Sequence, residues 1–435
     1  MSYDLVLRHA RLHHREGLWD MAIQDGRFVR IASDLGPASA TREIDALGKL
    51  VSPPFIDSHV HLDAVLTVGQ PRYNASGTLL EGIQIWSEFK AELNFEDIKR
   101  RALTAIGWEV AQGTLHIRSH VDICDPNLVA LRALLEVRDE VRDICDLQLV
   151  AFPQDGIFSF PNGRELMRRA LELGCDVVGG IPHHEWTSAL GGEDVHYAFE
   201  LAREFKRDID CHCDETDDPH SRFTEVMAAS TIQQGWQGRV TASHCTAMHS
   251  YDNPYAFKLI RLLAQAGVNV VANPFDNVVL QGRFDTYPKR RGITRVKELL
   301  ANGVNVSLGH DSIMDPWFPL GRGDMLAAAQ LALFLCHMSG YDEIQQVFDL
   351  ITSNAARTLR VQDRYGLAEG KPASFLILDA SDAFEALRLL PPRLHVFKAG
   401  REIATTTPAR SVLRRAGDEQ GKEIHYHEGL SRQQI

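Results

Sequence analysis

Between residues 51 and 310 the chain repeats one unit: an apolar, β-branched run, a polar junction, then a helical pattern ending near glycine. The runs are Val51–His61, Leu115–Val121, Leu147–Phe152, Asp176–Ile181, Arg207–His212, Arg239–His244, Val268–Asn273 and Val304–His310. From Leu115 onward successive runs begin roughly 30 to 36 residues apart, about one strand–helix unit. Helical stretches such as Arg164–Gly174 and Tyr255–Gly267 fill the gaps. Eight alternating units predict an α/β chain built on a (β/α)8 (TIM) barrel, whose functional residues gather at the C-terminal ends of the strands.

The flanks read differently. Tyr3 to about Leu50 consists of short alternating runs with hairpin signals, as in Ile23-Gln-Asp-Gly-Arg-Phe-Val-Arg-Ile31. The same texture returns in Ala373–Asp379 and Leu394–Ile403. We expect residues 1–52 and 360–410 to form one small composite β-sandwich domain, 53–359 the catalytic barrel, and 411–435 a polar C-terminal extension. The gap between runs one and two, about 50 residues, is long for a connection and should place extra helices over the barrel mouth.

Four of the eight runs end in, or just before, residues that could bind one metal ion. His59 and His61 are i and i+2, so on a strand they share a face. His212 and His244 end runs five and six, and Asp311 follows run eight. Singly, each histidine has a plain reading as a core residue. Together, at equivalent ends of one barrel, His59, His61, His212, His244 and Asp311 are candidate ligands of a borderline divalent ion such as Zn2+ or Fe2+. His116, His120, His183, His184 and His249 stay ambiguous. Glu215, three residues past His212, pairs a carboxylic acid with that ion, which is what hydrolytic deamination requires. The neighbouring Asp214 is expected to turn away.

A formal charge of −12 argues against a nucleic-acid surface. The run Lys289-Arg-Arg291 is basic, but nothing like a phosphate-binding loop adjoins it, so helix-end or subunit contacts are expected of it. No stretch nears the roughly 20 apolar residues of a membrane span, and the first residues carry no signal-peptide pattern. Seven scattered cysteines read as buried thiols, with Cys211 and Cys213 facing away from His212. The expectation is a cytoplasmic enzyme whose partner is a small molecule, not a membrane or a nucleic acid.

The order Pro53-Pro-Phe-Ile-Asp-Ser-His-Val-His-Leu-Asp63, His212-x-x-Glu215, Ser243–Tyr251 and Gly309-His-Asp-Ser312 resembles the amidohydrolase superfamily, and within it the bacterial cytosine deaminases. Gly69–Pro71, Ser76–Leu79, Phe152–Gly156, Leu280–Gly292 and Asp315–Leu320 extend the likeness over nearly the whole chain. The resemblance implies one divalent ion on His59, His61, His212 and Asp311, a single ion because run four lacks the bridging lysine of binuclear members. It implies Glu215 as proton shuttle to the pyrimidine N3, and His244 with Asp311 as the groups that orient and deprotonate water. It implies Gln154 at the ring's amide edge, Phe152 and Trp317 as walls, Leu79 in the pocket, and a homo-oligomer.

One departure bears on substrate. The family typically has two consecutive aspartates where this chain has Asp311 and Ser312. A hydrated charge at the second position opposes a 5-methyl group, since desolvating it is costly. Serine there should admit 5-methylcytosine and favour it over cytosine. His184-Glu-Trp186, where the family has an aromatic before the glutamate, is a second departure with no derivable consequence. The alternatives are a ring-amide hydrolase, an isoguanine or other purine or pterin deaminase on the same barrel, and a non-catalytic structural relative.

Overall fold

The computed structural model describes residues 2–426. The chain divides into two compact units, Phe55–Asp363 and a second built from Met1–Pro54 with Arg364–Ile435.

The first unit is a barrel of parallel strands, numbered here in chain order: β1 Phe55–Val60, β2 Thr114–Asp122, β3 Asp146–Phe152, β4 Val177–Val178, β5 Asp208–Cys213, β6 Val240–His244, β7 Asn269–Ala272 and β8 Val306–Leu308. Each pairs with the next in sequence. A bridge between Val60 and Asp311 closes β8 onto β1. There the His61 amide donates to the Asp311 carbonyl (3.0 Å) and the Asp311 amide to the His59 carbonyl (2.8 Å). Helices including Phe95–Ala111, Ser188–Phe205 and Asn253–Ala266 follow the strands and bury one apolar face.

Several strands are shorter than their runs, two of them for a local sequence reason. Pro53-Pro54 splits the run from Val51: Leu50–Ser52 pairs within the other unit, and β1 starts at Phe55, because proline has no amide to give a ladder. β4 keeps two residues, since Gly179-Gly180 and Pro182 disfavour a regular strand. Pairing nevertheless continues past it, with Gly179 donating to Ala151 and the Gly180 carbonyl accepting from His212.

The connection after β1 forms the helix Leu79–Phe89, capped by the Thr78 side chain. Ile83, Trp86 and Phe89 pack against Ala64, Leu280 and Trp317. Gly82 makes this possible: a Cβ there would lie 2.4 Å from the Trp317 indole.

Inside the barrel a polar chain crosses the strands. Arg118 on β2 is 1 % exposed; its guanidinium meets Asp210 of β5 at 2.8 Å and Gln148 of β3 at 2.9 and 3.0 Å. Asp210 in turn accepts the Ser243 hydroxyl of β6 at 2.7 Å.

The other unit is one continuous eight-stranded sheet ordered Arg401–Thr405, Arg393–Lys398, Phe375–Leu378, Leu50–Ser52, Ser2–Leu12, Trp19–Gln24, Arg27–Ala32, with Ser39–Asp45 also on Ser2–Leu12. Ser2–Leu12 belongs to both halves and is irregular between Leu7 and Ala10, where His9 is left-handed. The halves enclose one core containing Leu5, Leu7, Met21, Phe28, Phe375 and Phe397. The segment expected as an extension forms a hairpin, Ser411–Leu413 with Lys422–Ile424, and its residues 427–435 lie outside the described residues. No helix among the described residues is long and apolar enough to cross a membrane.

Removing one partner of a buried ion pair leaves the other charge uncompensated. Arg118→Ala is expected to cost about 3–5 kcal/mol, read as a large drop in thermal midpoint. An unchanged midpoint would show that the Arg118–Asp210 pair is dispensable.

Candidate metal centre and active site

The Nε2 atoms of His59 and His61 lie 3.2 and 3.1 Å from Nε2 of His212, and 3.4 and 3.5 Å from Asp311 Oδ1. All four residues are buried. His59 Nδ1 is 3.0 Å from the Ser243 hydroxyl, whose hydrogen goes to Asp210, so Nδ1–H donates and Nε2 presents a bare lone pair. Burial first, then the neighbouring imidazoles, holds His59 and His212 well below the ordinary histidine range, and burial takes His61 to about 4. Neutral imidazoles aimed at one point, with a carboxylate beside them, repel one another unless a cation lies between. The donor set fits one divalent ion.

Backbone strain completes the set. In a sheet, bridge partners share a face. Register pairs His244 with Cys213, whose thiol lies 3.4 Å from Thr224 on the helix behind the strand. It pairs Asp311 with Val60, the residue between the two inward histidines. Regular strands would therefore aim both side chains outward. His244 (φ 69°) and Asp311 (φ 71°) instead take left-handed backbone that non-glycine residues avoid, and this swings them inward. Gly309 lets β8 approach: a Cβ there would sit 2.5 Å from Asn273 and 2.6 Å from His59.

A cavity of about 330 Å3, mouth included, opens above this centre. His61, His212, His244, Glu215 and Asp311 line it with Leu79, Gln154, Ser312, Trp317, Ile181, Leu280 and Asp276. Glu215 Oε1 is 3.4 Å from His244 Nδ1, and burial pushes the Glu215 carboxyl up to about 8. His244 also lies 3.7 Å from Asp311 Oδ2. Burial, then the acidic neighbours Asp276 and Glu215, pushes the Asp311 carboxyl well above the carboxylate range, a shift that a bound dication opposes.

Phe152 is not part of the cavity wall. Its ring lies flat on His212, centroids 3.9 Å apart and planes 18° off parallel, so it holds that imidazole from behind. Trp317 does line the cavity, its loop fixed by Asp315, which accepts the Trp317 and Phe318 amides at 2.9 and 3.1 Å. Asp214 turns away, although strict alternation would set it on the face of His212: the strand ends at Cys213, Asp214 takes left-handed backbone (φ 52°), and its carboxyl accepts from Ser221, Phe223 and Thr224 at the start of the helix Phe223–Gln234. Glu185, in the departing His184-Glu-Trp186, acquires a purpose: it accepts the Ile157, Phe158 and Ser159 amides and so braces the loop behind Gln154.

The ambiguous histidines separate. His120 stacks on His59 at 3.8 Å, His116 faces Asp146 and His249 faces Asp217. The basic run is consumed locally: Lys289 donates to the Gly282 and Asp285 carbonyls, Arg290 to Asp285, and Arg291 to the Leu335 carbonyl. Sequence reasoning missed three residues after β7. Asn273 and Asn277 contact His244 at 3.2 and 3.1 Å, and Asp276 faces the cavity. The available signal was Ala272-Asn-Pro-Phe-Asp-Asn277, an acid in an otherwise uncharged strand-end junction.

The amidohydrolase family matches residues 42–406. The chain belongs to the amidohydrolase family. It is a hydrolase acting on C–N bonds, with a divalent-metal centre. It is similar to the 5-methylcytosine deaminase of Klebsiella pneumoniae, in a crystal structure liganded with 5-fluorocytosine, at 49% identity and a TM-score of 0.91 over 94% of this chain and 99% of that one. Among amidohydrolases it is also 30% identical to the N-isopropylammelide isopropyl amidohydrolase of Pseudomonas sp. (strain ADP), over 92% of this chain and 97% of the relative. The pterin deaminase of Rhizobium rhizogenes is 28% identical over 90% of each.

Purified protein is expected to carry one divalent ion per chain by elemental analysis and to lose thermal stability on chelation, since an ion bound only by the folded state stabilises it. Ser243→Ala removes the acceptor that sets the His59 tautomer. It should weaken metal retention against a competing chelator by about 10–100-fold.

Proposed function

We propose that this amidohydrolase deaminates a free pyrimidine base at C4, converting cytosine to uracil and 5-methylcytosine to thymine with release of ammonia, and that the methylated base is preferred. The observation that carries this reading is the placement of Glu215, a buried carboxyl pushed up to about 8, 3.4 Å from His244 in the cavity above the clustered imidazoles. A group that holds its proton near neutral pH can both give and retake it. The 49% identity to a 5-methylcytosine deaminase supports the same reading.

His59, His61, His212 and Asp311 would hold zinc or ferrous iron, which when bound supplies the Lewis acidity that makes hydroxide available near neutral pH. The chain's own groups do the rest. Gln154 offers a donor and an acceptor together, which matches the N1–H and C2 carbonyl edge of the base. Trp317 covers a face of the ring. Asp311 and His244, 3.7 Å apart, take the proton that water loses as its oxygen adds to C4. Glu215 gives its proton to N3, which lets C4 become tetrahedral without charge building on the ring. A proton returned through Glu215 to the amine then allows the C4–N bond to break, and ammonia leaves.

With N3 turned to Glu215, the other neighbour of C4, C5, faces Ser312. Ser312 is small and neutral, and its hydroxyl is already engaged with Asp276 at 2.7 Å. A methyl group accepted there is worth about 1–3 kcal/mol of discrimination. A purine or pterin is the competing reading. The cavity, narrow and bounded by Leu79, Leu280 and Trp317, suits one ring better than two.

Ammonia release measured in parallel on cytosine, 5-methylcytosine and isoguanine tests the proposal. We expect kcat/KM to be highest for 5-methylcytosine and Ser312→Asp to lower it selectively. Silence on both pyrimidines in metal-loaded protein would overturn the reading. Glu215→Gln should lower kcat by about 10²–10⁴ while the ion stays bound.

A further inference from the structure

Asp276 is 2 % exposed and lines the cavity from the first turn of the helix Pro274–Leu280, beyond the end of β7. Its Oδ2 accepts the Ser312 hydroxyl at 2.7 Å, which pins the carboxyl in place. Its Oδ1 is buried and, among the described residues, has no hydrogen-bond partner. A buried polar atom left unsatisfied is costly, and native folds rarely keep one without a use. Neighbouring acids show what sets it apart: Asp214 has both oxygens engaged, and Asp315, whose Oδ1 takes two backbone amides while its Oδ2 has no partner among the described residues, does not line the cavity. Asp276 keeps an oxygen in reserve beside the ligand space.

The orientation proposed above, on which this inference rests, turns C5 toward Ser312 and hence toward Asp276. A 5-methyl group fits beside Ser312 but gives Oδ1 nothing. A hydroxyl one carbon out from C5 is what the pair can recognise, because it donates to an ionised Oδ1 and equally accepts from a protonated one. We propose that the cavity takes pyrimidine bases bearing a hydrogen-bonding 5-substituent, 5-hydroxymethylcytosine being the simplest, with Asp276 as the residue that recognises the substituent. The chemistry is that of the parent reaction: a C4–O bond forms from water, the C4–N bond breaks, and ammonia and 5-hydroxymethyluracil leave.

The test uses the metal-loaded protein with cytosine, 5-methylcytosine and 5-hydroxymethylcytosine as substrates, and thymine and 5-hydroxymethyluracil as competitive inhibitors. We expect the hydroxymethyl base to be turned over at least as well as cytosine, and 5-hydroxymethyluracil to inhibit more tightly than thymine. Asp276→Leu should lower the hydroxymethyl-to-methyl ratio of kcat/KM by about tenfold, the net worth of one buried hydrogen bond, whereas Asp276→Asn, which still pairs, should retain most of it. A merely structural role would lower both rates together and leave the ratio unchanged, which would overturn the inference. So would turnover of 5-methylcytosine with none of the hydroxymethyl base. Should Asp276→Leu not fold, the inhibitor comparison on the unaltered protein decides, and tighter binding of thymine overturns the proposal. Silence on all three bases would instead fail the deaminase reading itself and this inference with it.

Discussion

The active end of this barrel depends on one buried polar chain, Arg118 to Asp210 to Ser243 to His59. It runs across β2, β5, β6 and β1, so a single line of hydrogen bonds joins strands from around the ring. Each link fixes the next. Arg118 keeps Asp210 ionised enough to accept, although burial pushes that carboxyl up. Asp210 takes the Ser243 hydrogen, which leaves the Ser243 oxygen able to accept only from His59. The imidazole is thereby held in one tautomer with Nε2 bare. Breaking the chain anywhere would free that tautomer and with it the metal geometry, so stability and function share these residues and cannot be tuned apart.

A second constraint is the seam where the barrel closes. β1 and β8 meet through the backbone of His59, His61 and Asp311. The residues that would hold the ion are thus the residues that complete the sheet. This explains how Asp311 tolerates a left-handed backbone: its amide and carbonyl are both fastened to β1, so the strain of order 1–3 kcal/mol is over-determined by the surrounding pairing. His244 is held likewise, with Asn273 and Asn277 against its ring.

Much of this was legible in the sequence, for physical reasons. Strand runs that alternate with helices at one period read clearly, and strand ends read as functional positions because barrel topology gathers them. His59, His61, His212, Glu215, His244 and Asp311 were found on that logic, and the structure brings them together. What stayed hidden depended on contacts across the barrel. The family resemblance implies Phe152 as a pocket wall, but its stacking on His212 is a tertiary fact. Pro53-Pro54 divides one apolar run between two sheets, which periodicity alone does not register. Asp276 was overlooked because a lone acid after a strand resembles any helix-start residue, and only the fold sets it against Ser312. Its presence also revises the substitution at 312. The acid missing from the end of β8 is answered by one beyond the end of β7, so the wall is not free of carboxyl groups.

The acids around the cavity sort by how their oxygens are satisfied. Asp315, Asp276 and Asp311 are all buried, and burial is the largest influence on each. Asp315 accepts two backbone amides and is pushed up only to about 6. Asp276, with one serine hydroxyl, and Asp311, facing the imidazoles, are pushed well above the usual range. Donors of the protein's own would have lowered both, as they do Asp315. The fold supplies amides where a carboxylate must brace the Trp317 loop and withholds them where a carboxylate faces the ligand space. An unsatisfied acid that also lines the cavity is therefore informative here. At Asp311 the partner would be a cation, and at Asp276 a hydrogen-bonding group on the substrate.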